Sequence, residues 1–238
     1  MKKYALEISW KEAEKIIKES LLILPLGSLE QHGPHLPLGV DTFIAEEIAK
    51  RVAIKIENSI ILPTIPISYS WVWRDFPGTI TIREKTLEEL IKDIARSIYR
   101  HEPKALIIIN GHLANNSALK YAIRDLYDEI SLRIYYFSYP GIEKFPQDSQ
   151  RWYNDVHAEE IETSIMLAIK PDLVDLSKAE IEYPTKPKSY GRSALSLGTL
   201  SKSGIFGNPK VASKEKGERY LEIIVEEILS TLKEENIL

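Results

Sequence analysis

The stretch Gly27-Ser28-Leu29-Glu30-Gln31-His32-Gly33-Pro34-His35-Leu36-Pro37-Leu38-Gly39-Val40-Asp41 gathers a glutamate, two histidines and an aspartate into one loop. Glu30 and His32 stand two apart, so on extended backbone their side chains point the same way. Asp41 falls at the expected N-cap of the next helix, and the glycines and prolines let the loop fold back towards it. Glu, His and Asp together suit Zn²⁺, Mn²⁺ or Fe²⁺, and one carboxylate set between two such ions can bridge them. Taken alone, the segment is also readable as a polar turn that ends in a capping aspartate.

Two more segments carry the same residue types. Asn110-Gly111-His112 follows an apolar run, where a histidine is either a ligand or an ordinary hydrogen-bonded loop residue. In His157-Ala158-Glu159-Glu160-Ile161-Glu162-Thr163-Ser164, helical spacing sets His157 and Glu160 on one face and turns Glu162 elsewhere. The plain alternative is an acidic helix start, which the helix dipole favours. Histidine usage argues against the plain readings. Of five histidines, four (His32, His35, His112 and His157) lie in these three segments, and only His101 lies outside them.

The elements that must position these groups alternate. Leu21 to Leu26 reads as a buried strand. Asp41-Thr42 opens a helix with Phe43, Ile44, Ile48, Val52 and Ile56 at near-3.6 spacing. Ile60-Ile61-Leu62 begins a second strand. Thr86, with Glu89 three residues on, predicts a capping box for a helix whose stripe is Leu87, Leu90, Ile91, Ile94 and Ile98. Ala105 to Ile109 is apolar throughout, as in a sheet covered on both faces. A helix through Leu119, Ile123 and Leu126 and a strand from Arg133 to Phe137 follow. Further helices are expected over Ala158 to Ile169 and Ser213 to Leu232. This alternation predicts one α/β domain over 1–238 with a mostly parallel central sheet, and ligands bind beyond the carboxyl ends of such strands.

Composition removes other chemistries. The 238 residues contain no cysteine, which excludes disulfide scaffolds, thiolate nucleophiles and cysteine-ligated zinc. Thirty-one Lys+Arg against 35 Asp+Glu, net −4, is not the footprint of a general nucleic-acid binder. The longest apolar runs are too short to span a bilayer. Met1-Lys2-Lys3-Tyr4 begins no apolar signal region, so a cytoplasmic protein is expected. Neither a Walker-type loop nor a Gly-x-Gly-x-x-Gly turn follows any strand, which disfavours a nucleotide-binding α/β domain.

At the level of motifs the chain resembles the creatininase family of amidohydrolases. The resemblance rests on Leu24 to Leu38 with Asp41, then Phe76-Pro77-Gly78-Thr79, Asn110-Gly111-His112, His157 with Glu162-Thr163-Ser164, and Lys214-Glu215-Lys216-Gly217, all in order. It implies an α/β/α sandwich with a two-metal site (Zn, Mn or Fe), often assembled into hexamers. By position, Glu30 and His32 would each hold a different metal, Asp41 would bridge, and His112 would complete the Glu30 side. His157 falls where the family has a proton-handling histidine. Creatinine-hydrolysing members carry a metal-binding Glu two residues after the His of Asn-Gly-His, where this chain has Ala114. Glu162, with Glu160 second, is the expected replacement.

The activity so implied is metal-dependent hydrolysis of a non-peptide C–N bond in a small molecule by metal-activated hydroxide. A formylamino-pyrimidine nucleotide is the preferred substrate. Creatinine, another cyclic amide or ketone, or a peptide-derived cofactor precursor are the family's other options. Trp71, Trp73 and Arg74 can stack on and pair with a flat or anionic substrate, or simply pack in the interior or at a subunit contact. The stretches Tyr190 to Ser193 and Gly204 to Pro209 read as a lid over the site or as a surface connection. A metal-stabilised binding protein without turnover is the alternative from another class.

Overall fold

The computed structural model describes residues 3–145 and 157–238. Within them the order is α1 (Trp10–Ile16), β1 (Leu21–Leu26), α2 (Val40–Lys55), β2 (Ser59–Ile61), α3 (Glu84–Tyr99), β3 (Ala105–Asn110), α4 (Asn116–Tyr127), β4 (Ile134–Phe137), α5 (Glu160–Ile169) and α6 (Lys214–Glu234). The four strands form one parallel sheet in the order β2-β1-β3-β4. β1 and β3 pair along their whole lengths, Leu21 against Ala105 through Leu26 against Asn110.

Alternation along these strands builds the layers. Leu21, Ile23, Ala105, Ile107 and Ile109 face a core shared with α2, α5 and α6. Leu22, Leu24, Leu26, Leu106 and Ile108 face the other way, against Leu87, Ile91 and Ala95 of α3 and Ala118, Leu119 and Ala122 of α4. Strands buried on both sides need no polar face, which is why β1 and β3 are apolar almost throughout. The result is the expected three-layer α/β/α sandwich. No helix among the described residues is long and apolar enough to cross a membrane.

Three local expectations are corrected. Asp41 does not cap α2: Gly39 holds the N-cap position, and Asp41 is the second helical residue with its side chain turned inward. Thr86 does not cap α3 either. That helix starts at Glu84 after Arg83, and Glu89 pairs with Lys85 and Lys92 instead of closing a capping box. The helix expected from Ala158 begins at Glu160, with Glu159 as its N-cap. His157 therefore precedes the helix and does not share a face with Glu160.

The chain leaves β1 over one face of the sheet, through α2, to reach β2. It leaves β3 over the opposite face, through α4. The carboxyl ends of the adjacent strands β1 and β3 thus flank a topological switch point, where α/β sheets open a crevice for ligands.

Candidate metal centre and active site

The segment after β1 is anchored at several points. Glu30 N–H donates to the Leu38 carbonyl at 3.0 Å, Ile80 N–H to the Leu29 carbonyl at 2.9 Å and Gln31 N–H to Thr79 Oγ1 at 3.1 Å. Phe76-Pro77-Gly78-Thr79 thereby holds the loop that carries Glu30 and His32. At the end of β3, Asn110 accepts from His112 N–H at 3.2 Å and donates to the His112 carbonyl at 2.8 Å, which pins the turn. Gly111 lies so close to α2 that a Cβ there would sit 2.2 Å from the Asp41 carbonyl oxygen. Only glycine lets His112 and Asp41 approach in this way.

α5 supplies the last carboxylate. Gly217 of α6 packs against it so tightly that a Cβ would meet the Ser164 carbonyl at 1.9 Å. Glu160 is committed to that helix pair: Lys216 Nζ donates to it at 2.9 Å and Tyr220 OH at 3.2 Å. Glu162 instead points to the crevice, where its Oε2 accepts from Ala158 N–H at 2.5 Å and stands 3.6 Å from His32 Nε2.

Glu30, His32, Asp41, His112, His157 and Glu162 are all buried and converge. Asp41 sits at the centre: Oδ1 is 3.2 Å from His32 Nε2 and Oδ2 is 3.0 Å from His112 Nδ1. Glu30 Oε1 is 3.3 Å from His112 Nδ1 and 3.7 Å from His157 Nδ1. Among the described residues, three groupings hold ligand atoms within 4.8 Å of one another: Glu30–Asp41–His112, His32–Asp41–Glu162 and Glu30–His32–His157. Ser28 Oγ donates to Asp41 Oδ2 at 2.6 Å and orients it. The outer nitrogens of the two central histidines lie against backbone carbonyls, His112 Nε2 at 3.0 Å from Tyr69 O and His32 Nδ1 at 3.2 Å from Glu30 O. With the outer nitrogen so engaged, the inner nitrogen is the one turned to the cluster, the usual support of a metal-ligating histidine.

The donor set fits divalent cations. Both carboxylate oxygens of Glu30 and Nε2 of His32 are buried with no hydrogen-bond partner, a costly state that a cation relieves. Without a cation the groups strain one another. Burial pushes Glu30 up to about 7, against the pull of His112. Burial would lower His32, but Asp41 and Glu162 outweigh it and raise it to about 10. Likewise burial opposes a charge on His112, yet Glu30 and Asp41 lift it to about 9. Asp41 is held well below the carboxylate range because His32 and His112 overcome its burial. Glu162 is raised by burial.

The crevice opens as a cavity of about 270 Å³ lined by the acidic cluster on one side and by Trp73, Ala114, His157, Tyr190, Leu197 and Phe206 on the other. Trp73 stacks on His157 at 3.9 Å between ring centroids, nearly parallel at 17°. Trp71 does not line this cavity. Its ring carries the Arg74 guanidinium at 3.8 Å, and it faces an adjoining cavity of about 440 Å³ that shares Val72, Tyr190 and Leu197 with the first. Arg74 lines neither. The two stretches expected as a lid or a surface connection, Tyr190 to Ser193 and Gly204 to Pro209, bracket a segment that reaches the pocket. Its residues Tyr190, Leu197 and Phe206 form one wall of the pocket.

His35 stays outside the cluster, its Nε2 at 2.9 Å from Thr163 Oγ1, and His101 is exposed. Sequence reasoning passed over Gln31, whose side-chain Nε2 lies 2.7 Å from His157 Nε2. The only signal for it was its place between two expected ligands.

A parallel α/β sheet with a buried, shared-carboxylate histidine cluster at its switch point defines a metal-dependent hydrolase. A family model described as creatininase, creatinine amidohydrolase, matches residues 6–232, and the chain belongs to the creatininase family of amidohydrolases. It is 32% identical to the creatinine amidohydrolase of Pseudomonas putida over 96% of this chain and 95% of that one. Its fold superposes on a creatininase variant of zinc–zinc type with a TM-score of 0.86, at 31% identity and 99% coverage of both chains. A manganese creatininase structure aligns as well, with a TM-score of 0.86, 30% identity and 99% coverage of each. A more distant relative, 27% identical over 89% of both chains, is the 2-amino-5-formylamino-6-ribosylaminopyrimidin-4(3H)-one 5'-monophosphate deformylase of Methanothermobacter marburgensis. These relatives are enzymes, which sets aside the binding protein without turnover.

Proposed function

We propose that the chain hydrolyses the formamide of a formylamino-pyrimidine nucleotide at a site for two divalent ions. Glu30, Asp41 and His112 would hold one ion, and His32, Asp41 and Glu162 the other. The observation that carries the two-ion site is Asp41, which offers a different oxygen to each histidine and belongs to both of these groupings, and the likeness to the deformylase supports the substrate. Ions held there would supply the Lewis acidity that brings the pKa of water down to near neutrality. The protein's own groups do the rest. His157 stands at the pocket wall, stacked on Trp73, where it meets the scissile group. Trp73 and Phe206 keep that wall dry.

Cavity shape supports the choice of substrate. The first cavity suits a compact amide and its ring. The second offers Trp71 and Tyr190, whose rings carry the cations of Arg74 and Lys186 at 3.8 and 4.2 Å. A flat group that extends from the first cavity can stack on such a wall. The reading includes a cytoplasmic homo-oligomer, whose state is checked by light scattering.

Creatinine hydrolysis is the second reading, favoured by the 32% identity with a creatinine amidohydrolase. Ala114, standing where creatinine-hydrolysing members carry a carboxylate, speaks against it. The test is direct: zinc- or manganese-loaded protein is given the formylamino-pyrimidine nucleotide and, separately, creatinine. Formate release is expected. Creatine without formate transfers the assignment to the second reading, and neither product refutes both.

A further inference from the structure

Gln31 lies with its side chain buried behind His157, on the side away from the metal-binding groups, and nothing in the hydrolytic scheme so far uses it. Its amide orientation is not free. Oε1 accepts from Gly33 N–H at 2.9 Å, and Nε2 donates to the Gly204 carbonyl at 3.0 Å. Flipping the amide would set N–H against N–H at Gly33 and oxygen against oxygen at Gly204, losing both bonds. The remaining N–H of Gln31 then points at His157 Nε2, 2.7 Å away. A donor at that distance requires a lone pair on the ring nitrogen, and a neutral imidazole with a lone pair at Nε2 carries its proton on Nδ1. Nδ1 is the atom that faces the cluster, 3.7 Å from Glu30 Oε1.

Resting on the hydrolase reading above, we infer that Gln31 is a positioning residue that fixes His157 as its Nδ1–H tautomer, so that His157 meets the substrate as a hydrogen-bond donor. At Nδ1 there is then no lone pair to take a proton from water. Its role is to donate a hydrogen bond, keeping its proton, to the oxygen on which charge develops, held in place by the Trp73 ring on one face. The backbone at Gly33 and Gly204 sets the amide, the amide sets the tautomer, and the tautomer sets what the pocket offers.

The test is a long-range ¹H–¹⁵N correlation spectrum of the zinc-loaded full chain with labelled imidazoles, His157 being assigned from the signal lost in His157→Gln. The expected pattern is a protonated Nδ1 and an unprotonated Nε2. Gln31→Glu replaces the donor by an acceptor and is expected to move the proton to Nε2. Gln31→Met, which keeps the length and removes both hydrogen-bonding groups, is expected to give a mixture of tautomers. In both variants kcat should fall roughly 10²-fold with metal content unchanged and KM altered little. A protonated Nε2 in the wild type, or an unchanged tautomer in Gln31→Glu and Gln31→Met, overturns the inference and leaves the hydrolase reading standing. The expected tautomers in a protein that cleaves no amide would instead sink the hydrolase reading and keep the role of Gln31.

Discussion

Glu162 Oε2 stands 3.6 Å from His32 Nε2, although one residue belongs to α5 and the other to the loop after β1. On the proposed site, this pairing takes the place of the carboxylate expected two residues after His112, where this sequence has Ala114. Ala114 lines the same cavity, so the two positions face one space. Glu162→Gln is expected to lose the ion on the His32 side and keep the other. Glu160→Gln should keep both, because Glu160 serves Lys216 and Tyr220. Metal analysis by plasma emission after gel filtration decides. Adding Ala114→Glu to Glu162→Gln is expected to restore the lost equivalent.

Asp41 is shared, so its loss should be felt on both sides. Asp41→Asn keeps the shape and halves the ligand capacity. It is expected to bind neither ion firmly. Zinc at about a hundred times its Kd stabilises a native state by about 2.7 kcal/mol, so the melting temperature of the wild type should climb on titration with zinc. The Asp41→Asn curve should stay flat, and a parallel rise would refute the bridging role.

Acidity follows from the same cluster. In the metal-free chain His32 and His112 titrate at about 10 and about 9, and Glu30 at about 7. At neutral pH the histidines therefore hold protons that metal binding must expel, since only the deprotonated nitrogen is a ligand. Zinc affinity is expected to rise with pH through the neutral range, with net proton release. Calorimetry in two buffers of different ionisation enthalpy measures it. Equal heats in both buffers would contradict the assignment.

In the proposed scheme His157→Ala removes the group set against the scissile bond and spares both groupings that contain Asp41. Turnover should drop by about 10²–10³-fold while both ions remain. Loss of metal in this variant would make His157 a ligand instead. Trp73→Ala should act through packing as well. The ring is buried and stacked on His157, and removing it is expected to cost about 3–5 kcal/mol of stability, read by urea unfolding of the zinc-loaded protein.

Much of this molecule is legible in its sequence. β1 and β3 announce themselves because a strand covered on both faces has no polar side to show. The ligand types stand in loops directly after those strands, and the ends of adjacent parallel strands must lie close together. Helix starts were read less well. Thr86 and Asp41 look like caps locally, but a cap is settled by backbone direction, and Asp41 is drawn inward by His32 and His112.

What the sequence alone determined is the kind of site: buried strands, hard and borderline ligands, no cysteine, and motifs in order along the chain. Only the tertiary structure turned Glu162 to the crevice and Glu160 to Lys216 and Tyr220, placed Trp73 against His157 with Trp71 and Arg74 outside the first cavity, and set Gln31 behind the ring. Spacing along a chain fixes directions only within one element. These choices depend on how closely α5, α6 and the loops approach one another, which Gly111 and Gly217 permit and which no local pattern encodes.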